Sequence, residues 1–283
     1  MRRKAYAKVT LTLQLVKRDR EGVHFDNVIV PIDLFDMVYL DVADKMMLQT
    51  NKDYLPLDQR NTVYHAIMLM KERYNITDNF SVRIVKNIPA QAGLGGGSAD
   101  AAAIIHLIDE KYNLNLTLDE KIDIGRQIDE DTPFCLVNKP ARVQGIGDVI
   151  QPIPLNIDLH YLIVKPPYGI STKRFLKRIQ TFEHDAVITE SMIQACKDGD
   201  YQTIIVNRIN EMQKNVLAYY PKLKNVIHRL EKLGLDGICM SGSGTSIVGF
   251  SQDIETVRIA YERIALKYPF VKYGTIKAQD MVE

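Results

Sequence analysis

Cysteine is scarce in this sequence: Cys135, Cys196 and Cys239 are odd in number and far apart. That spacing gives neither a disulfide framework nor a metal-ligand pattern, and it suits free thiols in a reducing compartment. The six histidines do not cluster either, which argues against a protein-bound structural zinc. Charge of one sign is not in excess, since Lys plus Arg (36) nearly balances Asp plus Glu (35). Nothing in the charge balance therefore points to nucleic acid or an anionic membrane as partner. No apolar run approaches the roughly 18 residues of a membrane span. The basic start Met1-Arg2-Arg3-Lys4 leads into an alternating pattern, Val9-Thr10-Leu11-Thr12-Leu13, and not into a continuous apolar run. It reads as a strand and not as an export signal, so a cytoplasmic location is expected. There is no internal repeat and no low-complexity tract.

What is present is an ordinary globular composition, 46% hydrophobic and 25% charged over 283 residues. That length suits one large domain or two ordinary ones and is enough to bury a sizeable core. Period-two alternation predicts strands over 9–15, 27–33, 36–42 and 81–88. Val63, Ile67, Met70 and Tyr74 recur at three- and four-residue intervals and predict a helix over 58–74. An alanine-rich helix is expected over 98–112. Thr117 and Glu120 fit a capping box that opens another, running to about 128. Pro133 then forces a turn after the acidic run Asp129-Glu130-Asp131. A strand pair is expected over 141–150. Two prolines near 152–156 suggest a boundary, giving domains 1–153 and 154–283. The second half reads as a strand at 159–164, helices at 171–181, 189–198, 200–215 and 222–233, strands at 237–240 and 246–250, a helix at 254–268 and a strand at 270–276. The class is α+β in two halves.

The most informative segment is Pro89-Ala90-Gln91-Ala92-Gly93-Leu94-Gly95-Gly96-Gly97-Ser98-Ala99-Asp100. It follows an expected strand and opens an expected helix. Glycines allow positive φ and close approach of backbone to a ligand. Successive amides can then converge on an anion, and the helix adds its positive end. The competing reading is a plain glycine turn between strand and helix. Four glycines in the five residues 93–97, abutting a helix start, favour anion binding. The segment is not a Walker A loop, because Gly-Lys-Ser/Thr is absent, and it does not fit the dinucleotide fingerprint in register.

This segment resembles the phosphate motif of the GHMP kinases, named for galactokinase, homoserine, mevalonate and phosphomevalonate kinases. Three further stretches carry the same resemblance over almost the whole chain: Ala7-Lys8-Val9-Thr10-Leu11, Asp131-Thr132-Pro133-Phe134 and Met240-Ser241-Gly242-Ser243-Gly244. The version Gly-Gly-Gly-Ser-x-Asp-Ala-Ala is most similar to the branch whose acceptor is 4-diphosphocytidyl-2-C-methyl-D-erythritol, in non-mevalonate isoprenoid synthesis. The resemblance implies a two-domain fold, a ribosomal protein S5 domain 2-like N-terminal domain and a ferredoxin-like C-terminal domain. It implies ATP-dependent phosphorylation of the 2-hydroxyl of that acceptor, with Mg²⁺ neutralising phosphate charge. Asp131 corresponds to the catalytic base and Lys8 to the second catalytic group. Residues 89–99 of the glycine segment, with Asn61 and Lys86, correspond to the ATP site. Ser98 is the one candidate Mg²⁺ ligand. Thr10, His24, Ser241, Gly242, Ser243 and Gly244 correspond to the acceptor side. The implied partner is a cytidine diphosphate sugar alcohol, and the implied state a monomer or homodimer.

The acceptor half departs from the family pattern. The family's Asn two residues after the catalytic Lys is Thr10, its Gly-Tyr-His is Gly22-Val23-His24, and the Glu after that His is Phe25. Its Asn-x-Leu-Glu is Asn207-Arg208-Ile209-Asn210, and the Pro after the last glycine turn is Thr245. Valine cannot stack on a base as an aromatic does. Two other readings stay open on these residues: a kinase of the same type acting on another small alcohol, and a non-catalytic nucleotide-binding protein. Retention of both Lys8 and Asp131 argues against the latter.

Overall fold

The computed structural model describes residues 1–170, 176, 182 and 184–279. The helix expected at 171–181 lies, apart from Leu176, outside the described residues. The chain forms two compact units. The first comprises Met1–Ala7, Leu34–Ala90 and Gly95–Asn138, the second Lys8–Asp33, Gln91–Leu94 and Lys139–Glu283. Strands β1 (Arg2–Arg18) and β2 (Val23–Ala43) and the glycine-rich segment each contribute residues to both.

β2 runs unbroken where the alternation predicts two strands. Its pairing with β5 (Ala141–Gly145) covers Phe25–Ile29, and its pairing with β4 (Asn79–Val85) covers Met37–Ala43. Pro31 falls between these two registers, so its missing amide interrupts neither ladder.

In the first unit β3 (Met47–Thr50) runs parallel to β4, and β4 antiparallel to β2. Helix α1 (Thr62–Arg73) starts later than its periodicity predicts. Asn61 caps it by accepting from the Val63 amide at 3.0 Å, while Asp58 closes a separate turn with Arg60. Helix α2 (Gly96–Tyr112) packs on α1, and its small residues Ala99, Ala101, Ala102 and Ala103 are buried. Helix α3 (Leu118–Gly125) carries the expected capping box of Thr117 and Glu120 but ends before 128. Beyond it the chain turns and opens a further short helix, α4 (Thr132–Val137). Pro133 sits in its first turn, where an amide has no intrahelical partner to lose.

The second unit holds a four-stranded antiparallel sheet in the order β11-β7-β10-β9, with β7 at Leu159–Lys165, β9 at Asp236–Met240, β10 at Ile247–Ser251 and β11 at Phe270–Ile276. This is the strand order of a ferredoxin-like unit. β5 also pairs with β6 (Val149–Pro152), and the short β8 (Ile209–Asn210) runs parallel to β1. The helices are α5 (Ala186–Asp198), α6 (Tyr201–Val206), α7 (Glu211–Tyr219), α8 (Leu223–Glu231) and α9 (Ile254–Ile264). The single helix expected over 200–215 is thus two. Asp200 caps the first and Asn210 the second, and the chain straightens between them to pair with β1. Leu162, Val164, Met212, Leu230, Ile247 and Val257 lie in one buried core cluster. Each such side chain contributes about 1.5–3 kcal/mol by leaving water. Among the described residues no helix is long and apolar enough to cross a membrane.

Candidate active site

In the first unit the glycine segment ends at the start of α2. Gly95 is the cap residue, at φ +69°, and no side chain caps the helix. The first intrahelical bond is Ala99 N–H to Gly95 O at 2.8 Å, so the amides of Gly96, Gly97 and Ser98 precede it. Three donors with no partner among the described residues, at the positive end of a 17-residue helix, are suited to an anion. Gly97 is exposed, and a Cβ there would meet only Thr62, at 3.3 Å. A Cβ on Gly96 would lie 2.8 Å from Ile88, so that glycine serves internal packing too. Pro89 and Ala90 are half-buried on the approach, and Ala99 is buried.

Ser98 Oγ donates to Asp129 Oδ2 at 2.9 Å. The other oxygen of Asp129 accepts from Asp131 N at 3.1 Å, Thr132 N at 2.8 Å and Thr132 Oγ1 at 2.9 Å. Asp129 thereby ties the start of α2 to the start of α4. Desolvation, and then the charge of Asp131, hold its carboxyl above the ordinary range. Asp131 is the cap residue of α4, yet its carboxylate does not cap that helix.

Behind the first turn of α2, the Lys86 ammonium bonds to Asp36, to Asp100 at 2.5 Å and to Gly96 O at 3.3 Å. Burial pulls the Lys86 pKa down, but the two carboxylates outweigh it and the net direction is up. Asp36 also accepts from the Asn87 and Ile88 amides, whereas Asp100 Oδ1 has no partner. Two acids share one cation, and Asp100 has the fewer hydrogen bonds. Asp100 is pushed up to about 7, chiefly by desolvation. Asn61 is likewise engaged internally, capping α1 and donating to Pro56 O at 2.8 Å. Beside it lies a cleft of about 410 Å³ lined by Met46, Leu48, Leu57, Arg60 and Tyr64.

In the second unit the remaining glycine-segment residues pack against the turn at 241–244. Lys8 N donates to Leu94 O at 3.0 Å, Ser241 Oγ to Gly93 O at 3.0 Å and Ser246 N to Ala92 O at 3.1 Å. Gly93 has φ +73°, and a Cβ on it would stand 2.0 Å from Ser241 O. Gly242 has φ +51°, and its Cβ would stand 2.9 Å from Gly93 O and 3.1 Å from Lys8 Nζ. Here close approach of two backbones requires glycine on both sides. Thr10 lies in the same place: its hydroxyl accepts from Gly242 N at 2.6 Å, and its carbonyl accepts from Arg208 at 3.3 Å. Lys8, Thr10, Ser241 and Ser243 are all buried. Gln91 is exposed beside Gly169, and Gly244 takes φ +87°. His24 has its Nε2 2.8 Å from Asp19. Asp19, Glu21 and His24 are the one trio of possible metal ligands found among the described residues, and the two acids are exposed. Lys17 and then His24 hold the Asp19 carboxyl well below its usual range.

The GHMP kinases N terminal domain matches residues 61–139, and the GHMP kinases C terminal domain matches residues 192–269. This chain belongs to the GHMP kinases. A 4-diphosphocytidyl-2-C-methyl-D-erythritol kinase of Clostridium botulinum (strain Eklund 17B / Type B) is 34% identical over 271 residues, 94% of this chain and 96% of that one. One from Clostridium perfringens (strain ATCC 13124) is 31% identical over 274 residues, 95% of each chain. A crystal structure of 4-(cytidine 5'-diphospho)-2C-methyl-D-erythritol kinase aligns with TM-score 0.78 at 25% identity, covering 99% of this chain and 100% of that one. Streptococcus pneumoniae phosphomevalonate kinase, solved with phosphomevalonate and AMPPNP, shares the fold at TM-score 0.71 and 13% identity, covering 97% of this chain and 100% of that one.

As a GHMP kinase the chain has the two-domain fold of that family, and ATP use goes with the family. Three residues of this GHMP kinase make contacts that a reading of motifs does not reach. Asp129 looks like one of three solvated acids, but its partner Ser98 is 31 positions away. Asn210 and Arg208 sit in what reads as mid-helix, yet both reach the Thr10–Gly242 region. The departure from Asn-x-Leu-Glu marks both positions, but neither it nor the cap preference of Asn gives their partners.

Proposed function

We propose that this chain transfers the γ-phosphoryl group of ATP to the 2-hydroxyl of 4-diphosphocytidyl-2-C-methyl-D-erythritol, a step of non-mevalonate isoprenoid biosynthesis. The observation that carries the proposal is the uncapped, glycine-built start of α2, where three amides meet the helix's positive end. The relatives of that name support it by matching nearly the full length. The amides of Gly96, Gly97 and Ser98 bind phosphate oxygens, and the cleft beside Asn61 takes the base, with Tyr64 offering a flat surface and Arg60 paired to Asp58 in the same lining. Ser98 is suited to Mg²⁺: its proton is donated to Asp129, which leaves oxygen lone pairs for a cation. When bound, Mg²⁺ neutralises charge on the β- and γ-phosphates. Asp131 takes the proton of the attacking hydroxyl. Lys8 stabilises negative charge on the reacting groups. Residues 241–244 and His24 serve the acceptor side. The proposal includes a domain boundary at 153/154, supported by family matches falling on either side of it, a cytoplasmic location, and a monomer or homodimer with no nucleic acid or membrane partner.

One observation favours a second reading, a different small alcohol as acceptor. Val23 stands where the family places an aromatic, and it is 8% exposed in the core of the second unit, so it offers no surface for a base to stack on. The deciding measurement is ATP turnover with the cytidyl acceptor against a panel of other alcohols. Efficient transfer to the cytidyl compound removes the second reading. Transfer only to another alcohol removes the first.

A further inference from the structure

Thr10 and Asn210 are distant in sequence, yet their side chains hold the same residue from opposite sides. Gly242 N donates to Thr10 Oγ1 at 2.6 Å, and Asn210 Nδ2 donates to Gly242 O at 2.8 Å and to Met240 O at 2.9 Å. The orientation of the Asn210 amide is fixed by its own cap, because Oδ1 accepts from Met212 N at 3.0 Å. Its nitrogen must therefore face the turn. Both residues are enclosed, Thr10 2% and Asn210 6% exposed, so water cannot replace either partner. Thr10 is itself pinned, its amide to Ser241 Oγ at 3.3 Å and its carbonyl to Arg208, also at 3.3 Å. The residue they grip lies against the Lys8 ammonium: the position a Cβ on Gly242 would take is 3.1 Å from Lys8 Nζ. We propose that Thr10 and Asn210 are a pair of positioning residues that clamp Gly242 beside the Lys8 ammonium and so set the acceptor-side turn at 241–244. The clamp rests on the reading of Lys8 as catalytic and of that turn as acceptor-facing. Thr10 then acts through Gly242, with its hydroxyl committed to the protein, and does not touch the acceptor.

The test uses Thr10→Val, which keeps shape and loses the acceptor oxygen, Thr10→Ser, which keeps the hydroxyl, Asn210→Asp, which loses both donors, and the Val/Asp double variant. Each is measured for transfer to the cytidyl acceptor, for ATP affinity by calorimetry and for its unfolding midpoint. Thr10→Val and Asn210→Asp are each expected to lower kcat/KM for the acceptor by about tenfold or more while ATP affinity stays within about twofold. Thr10→Ser is expected to remain near wild type. The double variant should lose little beyond the worse single one, because breaking either grip already frees the turn. Losses that multiply, an equal loss of ATP affinity, or a Thr10→Ser as poor as Thr10→Val overturn the clamp. Should the wild type transfer nothing to the cytidyl compound, the proposed acceptor falls, and the unfolding midpoints still judge the clamp. Less-than-additive shifts support it, and additive shifts refute it.

Discussion

Two glycines of one motif answer to different constraints. Gly93 sits at φ +73° with Ser241 O where its Cβ would be, so its identity is set by the neighbouring backbone. Gly97 is exposed in the first turn of α2 with only Thr62 near its Cβ position. Gly93→Ala is therefore expected to cost about 3 kcal/mol or more in urea unfolding. Gly97→Ala should leave stability within about 1 kcal/mol, since alanine is the better helix former. Yet its methyl stands on the proposed phosphate face, and ATP affinity should drop by about tenfold. A Gly97→Ala protein with unchanged ATP affinity would remove α2 as the phosphate cradle. Asp131 yields a complementary expectation. Its amide donates to Asp129, and an alanine keeps that amide. Asp131→Ala should keep the fold and nucleotide binding while transfer falls by about 10²–10⁴-fold, and single-turnover rates beside calorimetry separate the two. Residue identities at these motifs were readable in sequence, but the reason for each was not. Gly93 serves a turn about 150 positions later, a separation that no local pattern encodes. Val23 reads as a lost stacking surface, and only burial shows that a larger ring there would overpack a core.

At the scale of elements, what was legible follows from local chemistry. The capping box at Thr117 and the alanine-rich α2 are short-range signals and stand where the sequence places them, while β4 forms at Asn79–Val85, earlier than the 81–88 its alternation predicts. The merging of two expected strands into β2, and the break between α6 and α7, depend on partners far along the chain, β4 and β5 in one case and β1 in the other. The charge triad beneath α2 belongs to the same class, because Asp36, Lys86 and Asp100 come from three different elements or their ends. It carries a pH signature. The Asp100 carboxyl has a usual value near 3.8 and is pushed up to about 7 by burial. Between those values the folded chain holds a proton that the unfolded chain has released. Stability from this group is therefore full below about 4, where both states are protonated, and is lost as pH rises through about 7, by up to about 1.4 kcal/mol per pH unit. Asp100→Asn cannot titrate. The stability difference between variant and wild type should shift in the variant's favour as pH goes from about 5.5 to about 8. A difference that stays flat over that interval, measured by urea unfolding, would show the extra proton to lie elsewhere.

For the whole molecule the decisive quantity is local charge. The chain is nearly neutral overall, with 36 basic and 35 acidic side chains, so no long-range field draws in a polyanion such as ATP. Near α2 the described groups are mainly acidic. Asp129 lies on Ser98, and the Lys86 charge is already matched by Asp36 and Asp100. The glycine segment also lacks the lysine that a Walker A loop would supply. Three amides and a helix terminus contribute about half an elementary charge, too little to offset a triphosphate against those carboxylates. ATP affinity should therefore depend on a divalent cation far more than it would in a lysine-bearing cradle. With Mg²⁺ and nucleotide at about 100 times Kd, the folded state gains about 2.7 kcal/mol. Chelating the metal at the same ATP concentration should lower affinity by about tenfold or more and so remove about half of that gain or more. The reading comes from thermal unfolding and calorimetry on the same protein, with and without chelator. Equal stabilisation by metal-free ATP would mean that a basic group reaches the phosphates unaided, and the cradle as drawn around Ser98 and Asp129 would be wrong.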